Sequence, residues 1–151
     1  MKLEIATLPQ LLRKHAHANP NRLSQRHKQR GIWREYSFAD VQRNVREIAL
    51  GMHQAGVKAG ETIAIIGENE PQHYWAEYAA HALGCKVVSM YPDLTSEEVA
   101  YLLDDSEAVI LFAQDQEQVD KGLDVRNKTL KMRHIVYWDE NNSILIDIEI
   151  D

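Results

Sequence analysis

A single cysteine, Cys85, stands in 151 residues. That excludes an internal disulfide framework and fits a reducing compartment. No apolar run approaches the length that crosses a bilayer. The opening residues, MKLEIATLPQ, carry acids and a proline where a secretion signal would carry an apolar core. The cytoplasm is therefore the expected location. Glycine is sparse as well: Gly56, Gly60 and Gly67 are dispersed and punctuate elements, so neither common glycine-rich phosphate loop is present. The seven histidines form no cluster with ligand spacing, and His73 and His81 fall two helical turns apart, so no metal site is expected. The acid pairs Glu97-Glu98 and Asp104-Asp105 are adjacent and point apart on a helix, which does not suit general acid–base work. Tyr74, Trp75 and Tyr78 lack the interleaved cations of a base-stacking platform, so no nucleic-acid partner is expected. Cys85 follows Gly84 at the start of an apolar strand and reads as a small core residue rather than a nucleophile. No catalytic constellation is present.

What is there is ordinary soluble composition, 44% hydrophobic and 26% charged, enough for one domain with a real core. The net charge of −6 conceals a division. Met1 to Lys58 holds eleven Lys/Arg against four Asp/Glu, whereas the remainder holds six against nineteen. A basic first third could meet an anionic membrane surface, a nucleotide or an acidic partner; equally, solvated faces sort charge without purpose.

The stretch Gly56–Ser106 organises the rest. Thr62–Gly67 (TIAIIG) is a short apolar run without alternation, as a strand covered on both faces requires, and Lys86–Met90 (KVVSM) is a second β-rich run. Between them Pro71 opens a helix, with Asn69 or Glu70 as its cap and Trp75, Tyr78, Ala79, Ala82 and Leu83 on its apolar face. Two such runs joined by a helix predict a βαβ crossover and a parallel sheet. In chain order, a capping box at Thr7–Gln10 predicts a helix over Thr7–Ala18 with Leu8, Leu11, Leu12 and His15 inward. Arg22–His27 and Gly31–Ser37 predict a hairpin. Ser37 opens a helix whose stripe is Val41, Val45, Ile48, Met52 and Ala55. Thr95–Glu98 opens another, with Val99, Leu102 and Leu103 inward. Ala108–Ala113 and Met132–Trp138 are further strands, and Gln114–Leu123 is a short helix closed near Gly122. Ile146, Ile148 and Ile150 alternate with acids in a tail read as a half-buried edge strand. The expected architecture is one α/β domain over residues 1–151: three layers, a mostly parallel sheet flanked by helices in the Rossmann manner, with an N-terminal helix and β-hairpin.

In open sheets of this kind ligands bind beyond the carboxyl ends of the strands. Two loops lie there, Gly67-Glu68-Asn69-Glu70 and Tyr91-Pro92-Asp93-Leu94-Thr95. The second leads into a capped helix N-terminus, which favours anions, and Tyr91 offers a ring for stacking. A plain pair of well-capped loops explains the same residues.

Gly56–Ile65 (GVKAGETIAI), Asn69, Trp75-Ala76, Gly84 before Val87-Val88, and Tyr91-Pro92 together resemble the N-terminal part of AMP-forming acyl-CoA synthetases, the superfamily of firefly luciferase and peptide-synthetase adenylation domains. Tyr36–Val41 and Ser96–Ser106 are similar to the helix openings on either side, and Met90-Tyr91-Pro92 is most like the long-chain fatty acid–CoA ligases. The likeness runs from Leu8 to Trp138, and the tail from Asn141 departs from it. The resemblance implies a parent reaction in which a carboxylic acid and Mg-ATP give an acyl-adenylate that coenzyme A then takes over. It also implies a lysine-bearing Ser/Thr/Gly-rich phosphate loop, an aromatic-Gly-x-Thr-Glu motif, a ribose-binding aspartate and a lysine from a mobile C-terminal domain. None of these occurs in the sequence, which is expected to stop short of the phosphate loop. By the same resemblance Tyr91, Pro92 and Asp93 lie where coenzyme A approaches.

The chain thus reads as the front portion of a long-chain ligase, inactive and binding no cofactor alone. The alternative is a stand-alone α/β binding or interaction module. Expected partners are the remainder of the ligase or another protein across an exposed packing face, and an anionic membrane touched peripherally through the basic first third.

Overall fold

The computed structural model describes residues 6–138 and the backbone of 145–149. Along the chain run α1 (Leu8–Ala18), β1 (Leu23–Gln29), β2 (Ile32–Ser37), α2 (Phe38–Gln54), β3 (Thr62–Ile66), α3 (Pro71–Ala82), β4 (Lys86–Met90), α4 (Ser96–Asp105), β5 (Ala108–Ala113), α5 (Gln116–Val125), β6 (His134–Trp138) and β7 (Leu145–Glu149). The main sheet has the order β4-β3-β5-β6-β7, with β4, β3, β5 and β6 mutually parallel and β7 antiparallel beside β6. That is the three-layer, mostly parallel sheet expected from the alternation of β-rich runs and helices. The acidic alternation expected of the tail's side chains lies outside the described residues, though the backbone does form the edge strand.

Two cores flank the sheet. Ile63, Ile65, Phe112, Val136 and Trp138 point to the side covered by α1, α2 and α3. Ala64, Ile66, Leu111, Ala113 and Ile135 point to the side of α4 and α5. Strand alternation divides them, and because both sides are covered every residue of β3 and β5 is buried. One break occurs: Val109 is an extra residue of β5 opposite the step from Thr62 to Ile63.

Helix starts follow the local chemistry. Thr7, Ser37 and Thr95 each accept the backbone N–H three residues on, while Gln10, Asp40 and Glu98 reach back to the cap, so capping boxes close α1, α2 and α4. Glu70 caps α3 by position only, with no side-chain bond to the helix, and Pro71 supplies the start. The stripe Val41, Val45, Ile48 and Met52 of α2 is buried as its spacing predicts.

Several expectations are corrected. Leu8 and Leu11 do not pack inward but remain 49% and 40% exposed, leaving Leu12 alone buried on α1; His15 is exposed and stacks on Phe38. Ala82 is exposed, while Gln72 and His73 are buried, because α3 is wedged between the sheet and α2 and buries its first turn as well as its apolar face. The short helix begins at Gln116 behind an Asp115 cap and continues through Gly122 to Val125. Gly122 is no terminator: a Cβ there would come within 2.8 Å of Leu111 and 3.0 Å of Ile135, so glycine lets α5 lie close on the sheet. Lys86–Met90 forms a strand as expected, and as an edge of the sheet β4 is only partly buried.

The hairpin joins β1 to β2 through Arg30 and Gly31, both at positive φ (48° and 82°), the pair of left-handed residues that a two-residue turn needs to match strand twist. Among the described residues no helix is long and apolar enough to cross a membrane.

Candidate functional site

The chain passes from β3 to one neighbour, β4, and then to the other, β5, so the crevice between β3 and β5 is the point where winding reverses. At the carboxyl end of this crevice the loops after β3, β4 and β5 and the end of β6 come together. Gln114 stands there, just after β5. Its side-chain Oε1 accepts the Glu68 N–H at 2.5 Å, and its backbone N–H donates to the Ile66 carbonyl at 3.1 Å. Gly67 lies so near that a Cβ would stand 2.6 Å from Gln114 Cβ and 3.3 Å from the Trp138 ring. Close approach, not a phosphate, explains this glycine.

Glu70 organises the adjoining loop. One carboxylate oxygen accepts Trp138 Nε1–H at 3.1 Å and the other faces His27 Nε2 at 3.8 Å, tying α3 to β6 and to the hairpin. One turn along, His73 is buried with Nε2 3.2 Å from Ser89 Oγ on β4, while Nδ1 has no hydrogen-bond partner. Burial pulls the His73 pKa below its ordinary value, against weaker opposing effects of Glu77 and the Glu68 backbone, so the ring favours its neutral form.

Tyr91, Pro92 and Asp93 follow β4. Tyr91 is 80% exposed, and its carbonyl accepts the Leu94 N–H at 3.4 Å to close the turn. The Pro92 carbonyl accepts Lys121 Nζ at 2.6 Å, and that ammonium also meets Glu117 at 3.1 Å, so α5 holds the loop from below. Asp93 is exposed. Glu98 occupies the α4 start through the capping box, bonding Thr95 N–H and Oγ1–H at 2.9 Å each. Bonding to Thr95 lowers the Glu98 pKa, so this carboxylate stays charged.

The electrostatics of this edge are therefore acidic. Glu68, Glu70, Asp93, Glu97 and Glu98 lie on its loops and first helical turn, and Lys121 is engaged by a carbonyl and a carboxylate. The polyphosphate of ATP or coenzyme A would meet repulsion here, so the residues present do not make a nucleotide-phosphate site. Among the described residues no three His, Cys, Asp or Glu side chains gather to hold a metal ion.

Sequence reasoning located the edge and the Tyr91–Pro92–Asp93 loop. It placed Glu70 in the loop after β3 but missed Gln114, Trp138 and His73 as the residues gathered around it. Glu70 carried a partial signal, standing just before the Pro71 that opens α3. Nothing local in the sequence announces Gln114 or Trp138, since their partners lie 46 and 68 residues away.

Comparison with known proteins reads the same chain from outside. The family model described as AMP-binding enzyme matches residues 12–147. The long-chain-fatty-acid–CoA ligase FadD15 of Mycobacterium bovis is 33% identical over 84 residues, which is 56% of this chain and 14% of that protein. Rv1549 of Mycobacterium tuberculosis is 28% identical over 107 residues, 71% of this chain and 56% of that one. Among solved structures, a putative long-chain-fatty-acid CoA ligase from Rhodopseudomonas palustris superposes with a TM-score of 0.78 at 20% identity, over 91% of this chain and 34% of that one. The chain thus spans about one seventh of the length of the FadD15 ligase it matches, and its architecture is that of the structural neighbour. The chain belongs to the AMP-binding enzyme family.

Proposed function

We propose that this chain supplies the N-terminal α/β portion of a long-chain fatty acid–CoA ligase and is catalytically silent by itself. The parent reaction joins a fatty acid to coenzyme A through an acyl-adenylate at the expense of ATP. The observation that carries the reading is the family match over nearly the whole chain, combined with a carboxyl edge too acidic to hold phosphates unaided. The missing cations would have to come from the remainder of the ligase. Leu8 and Leu11, one turn apart on α1 and unpacked, support a surface that another part of a larger protein covers. In that assembly Tyr91, Pro92 and Asp93 stand on the side from which coenzyme A enters.

A second reading is a stand-alone α/β interaction module. It is favoured by Rv1549, a relative of which this chain covers 56%.

Isothermal titration of the chain with ATP, AMP, coenzyme A and palmitoyl-CoA, beside a pyrophosphate-release assay with palmitate, tests the proposal. The expected result is no turnover and no micromolar binding. Turnover by this chain would overturn it. Micromolar coenzyme A binding that weakens in Tyr91→Ala would show instead that the loop binds without the rest of the ligase.

A further inference from the structure

The β1–β2 hairpin has two unlike faces. Register puts Gln25 and His27 with Tyr36 and Arg34 on one, and Arg26 and Lys28 with Glu35 and Trp33 on the other. The first face is anchored. Trp75 Nε1–H donates to Gln25 Oε1 at 2.8 Å, Tyr36 meets the Trp75 ring edge-on, and His27 faces Glu70. The second face is open to solvent. Trp33 is 54% exposed there, with the Arg26 guanidinium 4.6 Å and the Lys28 ammonium 5.9 Å from its ring centre. Ile32, paired with Gln29 next to the turn, is 61% exposed but belongs to the first face.

Cation–π contact steadies an exposed indole but leaves both cations charged. Charge around the turn is one-sided: from Arg22 to Arg34 there are five Lys/Arg and no acid, and the first acid, Glu35, pairs with Arg26 at 3.2 Å. The chain beyond Lys58 carries six Lys/Arg against nineteen acids. An anionic surface therefore repels most of the molecule and attracts this hairpin, which fixes the orientation of approach. A protein partner with an acidic patch is the competing occupant that the experiment separates from a lipid surface. An exposed indole flanked by two cations on one face suits a surface that is anionic at its face and apolar just beneath, where indole rings settle at headgroup level.

We propose that the outer face of the β1–β2 hairpin is a membrane contact. It docks on an anionic lipid surface with Trp33 at headgroup depth and with Arg26 and Lys28 against the lipid phosphates. This goes beyond the ligase reading and does not rest on it.

The tryptophans make the test clean. Trp75 and Trp138 are buried and their indole N–H groups are bonded, so a change in emission on binding reports Trp33. The chain is mixed with vesicles of equal parts phosphatidylcholine and phosphatidylserine, and with vesicles of phosphatidylcholine alone. The expected result is co-sedimentation with the first only, a blue-shifted emission quenched by brominated lipid, and release as salt is raised. Arg26→Gln with Lys28→Gln should lower partitioning about tenfold or more. Trp33→Ser should lower it several-fold, with far-UV circular dichroism unchanged in both variants. The proposal is overturned if the wild-type chain stays in solution, if it binds with Trp33 emission unmoved, or if both variants bind as the wild type does. Binding to polyglutamate without binding to vesicles overturns it in favour of an acidic protein partner.

Discussion

The central strands and the hairpin are both β-structure, made on opposite principles. β3 and β5 are buried at every position, between two layers of helices. β1 and β2 have no buried residue; a left-handed two-residue turn and cross-strand pairs shape them, and contacts of their inner face with α2 and α3 anchor them. Burial locks the first pair, so its side chains are free to do little besides pack. The second pair is held by geometry, which leaves its outer side chains available for contact with something else. Stability should be concentrated in one region and surface function in the other.

Phe112→Ala is the strongest way to test that division. Phe112 is nearly inaccessible close to the carboxyl end of β5, and its truncation should cost about 3–5 kcal/mol, a large part of a domain's whole stability, read from urea denaturation. A loss below about 1 kcal/mol would show that the sheet core is not where stability resides. Next, Gly67→Ala pushes a methyl onto Gln114 Cβ, an atom with no flexible arm to move aside. Destabilisation of about 1–3 kcal/mol is expected, with faster amide exchange at Glu68 as its bond to Gln114 is displaced.

The amino end of the sheet offers a pH test. Arg133 Nη1 and Nη2 bond the two oxygens of Glu61 at 3.1 Å each, joining the approaches to β3 and β6. That pairing, aided by the Lys58 backbone N–H and opposed by desolvation, lowers the Glu61 pKa below 4.5. A depressed carboxylate binds its proton more readily unfolded than folded. Its contribution is complete above the unfolded pKa and is lost as pH falls through the lowered folded value. The melting temperature should therefore drop in that acid window, and Glu61→Gln should flatten the drop while lowering the plateau at neutral pH. An unchanged profile in Glu61→Gln would remove the pair from the account.

The smallest effect belongs to the hairpin. Arg30→Asn puts a residue tolerant of positive φ into the turn and should stabilise by less than about 1 kcal/mol. Trp33→Ser should change folding stability by no more than about 1 kcal/mol, the cation–π contribution. If either variant rivalled Phe112→Ala, the division between a packed sheet and a geometric hairpin would fail.

Much of this was readable because its causes are local. Three capping boxes, the β-rich runs, the α2 stripe and the turn signals all act within a few residues, and each element stands within a few residues of its predicted place. Gly122 was misread for the complementary reason. A glycine near a helix end suggests a stop, and only the distance to Leu111 and Ile135 shows that it admits the sheet. Leu8 and Leu11 follow the apolar period of α1, but periodicity names the side that prefers burial, not whether anything covers it.

The candidate site divides in the same way. The position of the Tyr91–Pro92–Asp93 loop after β4 was legible because it follows a β-rich run and Pro92 marks a turn. Gln114, Trp138 and His73 were not legible in the sequence, because each depends on partners brought together by the β4-β3-β5-β6 order. The sequence by itself determined the elements, the parallel class of the sheet and the division of charge between the first third and the rest. Tertiary structure alone decided which apolar residues stay uncovered, which carboxylates meet at the carboxyl edge, and that the basic turn presents Trp33 outward. Local propensity acts over a few residues, whereas burial and the electrostatic field depend on strands dozens of residues apart.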